Sequence, residues 1–245
     1  MMLPIKRHPV LAFLLLLLAT PLHAAGLSQA DPFHPSPAFT PAGPGAARGA
    51  LVWLHGGYDT ATQPDPPPEP GWVARMAALG FDVWRFDRAP GTDSLSAGGA
   101  GLTTGLTALR HAGYRRVVVA GHSRGGFIAL SALAHLELVD AVAAISPAAH
   151  GTAASRRPAV MAAFRDLLAA AGRTDLALVL LADDPLEPDA AERDAMAHAM
   201  ARRTGARLLA IDRPTEPRGH MGGYESNFDR IFGARLVDFL AGPLQ

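Results

Sequence analysis

From position 49 onward the chain alternates short, nearly continuous apolar runs with stretches in which apolar residues recur at helical spacing. The runs fall at 50–54, 81–86, 116–120, 141–145, 176–182 and 207–211. A run that is apolar at successive positions, and not only at every second one, has no solvent face, so both of its sides must be covered. Covering both sides with the intervening helices gives a largely parallel sheet, because each helical crossover returns the chain to the same end of the sheet. The expected fold class is α/β: a mostly parallel sheet of about six strands flanked by helices, in one domain over 49–245.

Helices are expected at 71–79, 101–111, 124–135, 158–171, 188–204 and 226–240. Pro158 and Pro188 suit first helical turns, and Gly172 and Gly205 fall where a helix C-terminus needs a left-handed residue. In the last helix Phe228, Ile231, Phe232, Leu236, Phe239 and Leu240 form an apolar stripe that reads as core. Val160, Met161, Phe164, Leu167 and Leu168 form another; packing is its expected role, with a movable lid over 151–172 as the alternative. About 30 residues separate the fourth and fifth apolar runs, room for one helix but not for a large cap domain.

Lys6 and Arg7 precede the apolar run 10–19 and the small residues of His23-Ala24-Ala25-Gly26, the form of a secretory signal peptide over 1–24. Pro9 and Pro21 bracket about 11 residues, short of the roughly 20 that span a bilayer, so no stable membrane anchor is expected. The protein is therefore read as exported, to the periplasm or the medium. Residues 25–48, rich in Pro, Ala and Gly without a sustained period, are expected to form an irregular arm.

Composition removes several chemistries. There is no cysteine, hence no disulfide, thiolate metal site or cysteine nucleophile. The one lysine is Lys6, so a chain without its leader has no Schiff-base, P-loop or serine–lysine group. Taking Lys6 and Arg7 from the 22 basic residues leaves 20 against 22 acidic ones, a balance that offers nothing to nucleic acid. No compact ligand pair such as H-x-x-x-H occurs, and neither a metal nor another cofactor is expected.

The sharpest local signal is Val117-Val118-Val119-Ala120 running through Gly121-His122-Ser123-Arg124-Gly125-Gly126 into an apolar helix. A serine on a very tight strand-to-helix turn projects its hydroxyl beyond the sheet, and the glycines avoid collisions where strand and helix approach. G-x-S-x-G alone would arise by chance roughly one time in ten in so glycine-rich a chain, so the flanking strand and helix sharpen it. The bland reading of Ser123 is an ordinary helix cap. A second signal is Leu51-Val52-Trp53-Leu54-His55-Gly56-Gly57-Tyr58, a buried strand ending in a His-Gly-Gly turn of the kind that supplies an oxyanion donor. The backbone N–H of Arg124 and one from Gly57 or Tyr58 are the expected oxyanion hole, helped by the dipole of the helix that starts at Arg124.

Two later segments complete the set. The run 176–182 leads into Asp183-Asp184-Pro185-Leu186-Glu187-Pro188, where one of the two aspartates can orient a histidine. Gly219-His220-Met221-Gly222-Gly223 lies after the last apolar run and before the last helix, in a Gly-rich turn that can aim an imidazole.

With Ser, Asp and His in this order the sequence resembles the α/β-hydrolase superfamily, over about 49–240. The resemblance implies a catalytic triad of Ser123, His220 and an aspartate. The family's D-x-x-aliphatic-Pro turn matches the register of Asp184 to Pro188, which favours Asp184 over Asp183, with Asp212 or another carboxylate as the remaining option. Glu187 departs from that register, which has an aliphatic residue there. The family's first two strands, often antiparallel, find no counterpart before Gly49, so a trimmed sheet is expected. Asp87, in the loop after the run 81–86, is expected to be structural.

The expected function is that of a serine hydrolase. His220 takes the Ser123 proton, the oxygen attacks an ester carbonyl, Asp184 stabilises the imidazolium, and water resolves the acyl-enzyme. Thioester cleavage, peptide cleavage and acyl transfer would use the same residues, and a non-catalytic binding protein of the cell envelope is the alternative of another class. The substrate is expected to be a small ester or acyl compound. Pocket walls are expected from Tyr58, the 64–70 loop, His122, Arg124, Met221 and Tyr224, and His55 is expected to support a loop.

Overall fold

The computed structural model describes residues 32–58, 61–63, 65–89, 94–149 and 154–243. The expected leader 1–24 and part of the possible lid lie outside them. All six expected strands form: β2 (Gly49–Leu54), β3 (Phe81–Phe86), β4 (Val117–His122), β5 (Ala141–Ile145), β6 (Asp175–Leu180) and β7 (Leu208–Asp212). They pair in parallel, and a short seventh strand, β1 (Phe33–Pro35), adds antiparallel to β3. The order is β1-β3-β2-β4-β5-β6-β7, so the chain reverses its direction of travel across the sheet beside β2 and β4. Clefts in open α/β sheets form at such a reversal, at the carboxyl ends of the strands.

Strand β1 corrects two expectations, the wholly irregular arm and the missing antiparallel strands. Phe33 is buried, its ring centroid 5.8 Å from that of Trp84 and 6.0 Å from that of Phe86. Buried Asp82, facing the arm from β3, accepts from Ala42 N–H at 2.7 Å, Gly43 N–H at 2.9 Å and the Tyr114 hydroxyl at 2.5 Å. Tertiary partners, and not a local pattern, order this segment.

The sheet is covered on both sides. Ala50, Val52 and Leu54 of β2 face α2 (Leu95–Ala112), α3 (Arg124–Ala129), α4 (Arg157–Ala170) and α5 (Ala190–Thr204), within one apolar cluster. Leu51 and Trp53 face α1 (Val73–Ala78) and the C-terminal helices, within the other. The alternation is the two-residue period of a strand, with both faces apolar. Truncating one of the fully buried aromatics, such as Trp53 or Phe164, is a cavity change of about 3–5 kcal/mol.

Two helix details differ from the sequence reading. The C-terminal helix is not continuous: α6 (Ser226–Phe228) passes through a π turn (Asp229–Gly233) into α7 (Ala234–Ala241). The wider turn shifts the phase of the stripe, so Phe228, Leu236 and Leu240 are buried while Ile231 is 41% exposed. Gly205 closes α5 in the left-handed conformation (φ 71°), but α4 ends at an extended Ala171, and Gly172 is not left-handed. The Val160, Met161, Phe164 and Leu168 face of α4 is buried in the core, with Leu167 packed against its edge. Among the described residues no helix is long and apolar enough to cross a membrane.

Candidate active site

Strand β4 delivers Ser123 to the sheet's carboxyl edge, and α3 starts at the next residue. Ser123 has φ 54° and ψ −122°, a conformation costly for a residue with a side chain. The turn tolerates nothing larger than glycine on either side. A Cβ at Gly121 would lie 2.5 Å from the Gly125 carbonyl, and one at Gly125 would land on the carbonyl oxygens of Leu54 and His55. Ser123 N–H is held by the Ile145 carbonyl at 2.9 Å, which fixes the turn to β5.

His220 opens a short 3-10 turn (His220–Tyr224) after the last strand. Its Nε2 accepts from the Ser123 hydroxyl at 2.8 Å, and its Nδ1–H donates to Asp184 Oδ2 at 2.8 Å. Asp184 follows β6; its other oxygen accepts from Leu186 N–H at 2.8 Å. Burial pushes the Asp184 carboxyl up, but the hydrogen bond and charge of His220, the Leu186 N–H and the neighbouring Ser146 hydroxyl outweigh it and hold it below the usual carboxylate range. Asp183 points elsewhere, to Arg218, with a side chain 67% exposed. Asp212 pairs with Arg213. Of the three carboxylates weighed on sequence, the fold brings only Asp184 to the imidazole.

The Gly56-Gly57-Tyr58 loop closes the other side. A Cβ at Gly56 would come within 3.2 Å of both Ser123 Cβ and His122 Nδ1, so the loop backbone passes directly over the serine. Arg124, the first residue of α3, and Ser123 are both partly exposed. This arrangement can hand a proton from a hydroxyl to an imidazole whose opposite nitrogen is backed by a carboxylate, with backbone close to the oxygen.

The expected pocket residues divide. Buried His122 donates its Nε2–H to the His220 carbonyl at 2.8 Å and packs edge-on against Tyr224, centroids 4.9 Å apart. Tyr224 also packs edge-on on Trp53 at 6.0 Å, and burial pushes its hydroxyl above the ordinary phenol range. The His122 ring also lies 4.9 Å from that of His220, and Tyr224 is partly exposed. Met221 is 56% exposed beside the base. Tyr58 packs on His55, whose Nε2 accepts from Arg88 N–H at 3.0 Å, so His55 supports a loop as expected. The 64–70 loop, whose Pro64 is outside the described residues, packs on Arg85 through the Pro67 carbonyl and Glu69 at 2.9 and 3.1 Å. Asp87 is structural, held by Arg85 and His34. A cavity of about 410 Å³ opens beside Asp184, bounded by Leu181, Asp183, Arg157 and Arg213; neither Tyr58, His122, Met221 nor Tyr224 lines it.

Among the described residues no group of three or more potential ligands is placed to hold a metal ion. Sequence reasoning missed buried Glu187 and Arg193, which pair at 2.8 Å beside the acid, although the departure of Glu187 from the family register was a visible signal.

No protein-family model and no curated protein matches the chain. Solved structures do. A Pyrococcus furiosus esterase, Pf2001, superposes with a TM-score of 0.55 at 16% identity, over 80% of this chain and 84% of that one. A monoacylglycerol lipase of Paleococcus ferrophilus gives 0.55 at 15% identity, over 83% and 96%. Dipeptidyl peptidase 4 of Porphyromonas gingivalis gives 0.60 at 16% identity, over 81% of this chain and 32% of that larger one. The sheet order, the serine turn after β4 and these superpositions agree, and the chain has the α/β-hydrolase fold.

Proposed function

We propose that the protein is a serine hydrolase that cleaves a carboxylic ester of a small molecule through an acyl-enzyme. One observation carries the reading: a single imidazole bridges the Ser123 hydroxyl and the Asp184 carboxylate at 2.8 Å on each side. His220 Nε2 takes the hydroxyl proton as Oγ bonds to the carbonyl carbon, and the carbonyl electron pair moves to oxygen. The oxyanion lies toward the Arg124 N–H and the Gly57-Tyr58 backbone. Collapse expels the alkoxide, which leaves with the proton from His220. Water then repeats the sequence on the acyl carbon, releasing the acid and restoring Ser123. Asp184 remains ionised throughout and stabilises the imidazolium. An esterase and a lipase stand among the superposed structures beside a peptidase, and the ester reading follows the first two.

The basic, apolar and small-residue pattern of 1–24 supports export, so the activity belongs outside the cytoplasm. The test uses protein purified from the medium or periplasm. A fluorophosphonate should label it on Ser123, and a panel of p-nitrophenyl esters of graded acyl length should be turned over. Ser123→Ala should lose the label and all but a background rate while keeping its circular dichroism spectrum. Undiminished turnover by Ser123→Ala overturns the proposal.

A further inference from the structure

Glu187 is a buried carboxyl for which the triad has no evident use. It is 3% exposed, and among the described residues its one charged hydrogen-bond donor is Arg193, at 2.8 Å. Arg193 is 1% exposed, donates also to the Pro147 carbonyl, and lies over the Phe164 ring, 5.1 Å from its centroid. The second oxygen of Glu187 is buried without a donor among the described residues. Glu187 shares a tight turn with Asp184, whose carbonyl accepts from Glu187 N–H at 3.2 Å, and the Asp184 carboxyl is the neighbouring group that bears on the Glu187 side chain.

Two ionised carboxylates are both acceptors and repel; they bond only if one of them carries a proton. Charge balance points the same way. The groups here are buried Asp184, Glu187 and Arg193 and partly buried His220; His122 stands behind His220 and is held neutral by burial, at about 4. Asp183 and Asp189 on the same loop turn away to Arg218 and Arg157, and Glu192 of α5 turns to Arg165. With both carboxyls ionised and the imidazole neutral, the cluster holds one uncompensated negative charge out of water, a costly state. With one proton it is neutral. Asp184 is the ionised member, because it accepts from His220 and from Leu186 N–H.

We propose that Glu187 is protonated at neutral pH and donates its O–H to Asp184, a positioning residue that orients the acid holding His220, with Arg193 clamping its other oxygen. Burial raises the Glu187 carboxyl well above its ordinary value, with Asp184 adding to the rise and Arg193 opposing it. The donated bond fixes the plane of the Asp184 carboxyl, and it leaves one negative charge, not two, to face the imidazolium. The kinetic part rests on the proposed triad; the protonation state does not.

The test therefore has two arms. Infrared spectroscopy of the whole protein at neutral pH should show the carbonyl stretch of a buried protonated carboxyl, lost in Glu187→Gln. Glu187→Leu should lower kcat about tenfold, the equivalent of one lost hydrogen bond, with little change in KM. Glu187→Gln, which keeps a donor to Asp184 and an acceptor for Arg193, should recover most of that loss. If wild-type protein lacks the protonated-carboxyl band, or if the band persists in Glu187→Gln, the proposal is overturned whether or not the protein hydrolyses esters. A Glu187→Gln as impaired as Glu187→Leu also overturns it, since that is the behaviour of an ionised partner of Arg193. The wild-type band decides the matter alone if a variant does not fold.

Discussion

His122, the residue before the serine, donates its Nε2–H to the backbone carbonyl of His220 at 2.8 Å. Ser123 and His220 are 97 residues apart in sequence, and this bond ties their two turns together beside the Ser123–His220 contact itself. A carbonyl can only accept, so the proton is on Nε2 of His122 and the ring can be neutral. Its centroid is 4.9 Å from that of His220, and a charged ring at that distance would oppose formation of the imidazolium.

A pH dependence follows from that neutrality. Burial, the largest influence, lowers His122 to about 4, against an ordinary value of 6.5. Between these values the unfolded chain binds a proton that the folded protein excludes, so folding stability is lost as pH falls from 6.5 toward 4. The slope is about 1.4 kcal/mol per pH unit, or about 3 kcal/mol over the window. Urea unfolding of wild type and of His122→Phe at a series of pH values measures it as the difference between the two proteins. A constant difference across the window would mean that His122 takes up its proton in the fold as readily as out of it.

The choice of acid is equally open to measurement. Asp184→Asn should lower kcat by about 10³- to 10⁴-fold, because the amide can no longer hold the base in the tautomer that accepts from serine. Asp183→Asn, which removes only an exposed pairing with Arg218, should change kcat less than about twofold. Steady-state kinetics on the two variants separates them, and a large loss on the Asp183 side would reverse the assignment.

The difference between these neighbours shows what could be read from the chain. Continuous β-branched and aliphatic runs such as 117–120 can bury both faces only inside a parallel sheet, so the strands were legible without any long-range knowledge. Ser123 and His220 were legible because their turns have glycine requirements that survive as motifs. Asp184 was legible only through register, since in the bare sequence it and Asp183 are the same residue twice. The tether from His122 was not legible, because it is created when segments 98 residues apart converge; Glu187 stood out by its register, but its burial with Arg193 was not legible, because a side chain's burial is not written beside it. Gly172 misled for a local reason: the chain leaves α4 through an extended Ala171, so no left-handed residue is needed.

Strand β1 offers the sharpest test of a contact that sequence did not announce. A Cβ built on Gly105 of α2 would land on the ring of Phe33, a buried ring that cannot swing aside without leaving the sheet. Gly105→Ala should therefore expel Phe33 and cost about 3 kcal/mol despite raising helix propensity. Phe33→Ala alone should cost about as much, by leaving a cavity over β3. In the double variant the new methyl occupies space the ring has vacated, so the two costs should not add, and the coupling should favour the double variant by about 2 kcal/mol. Denaturant unfolding of the four proteins gives that coupling directly. Strict additivity would mean that ring and helix do not meet, and that the antiparallel edge of the sheet is held by the Asp82 hydrogen bonds to the arm and not by Phe33.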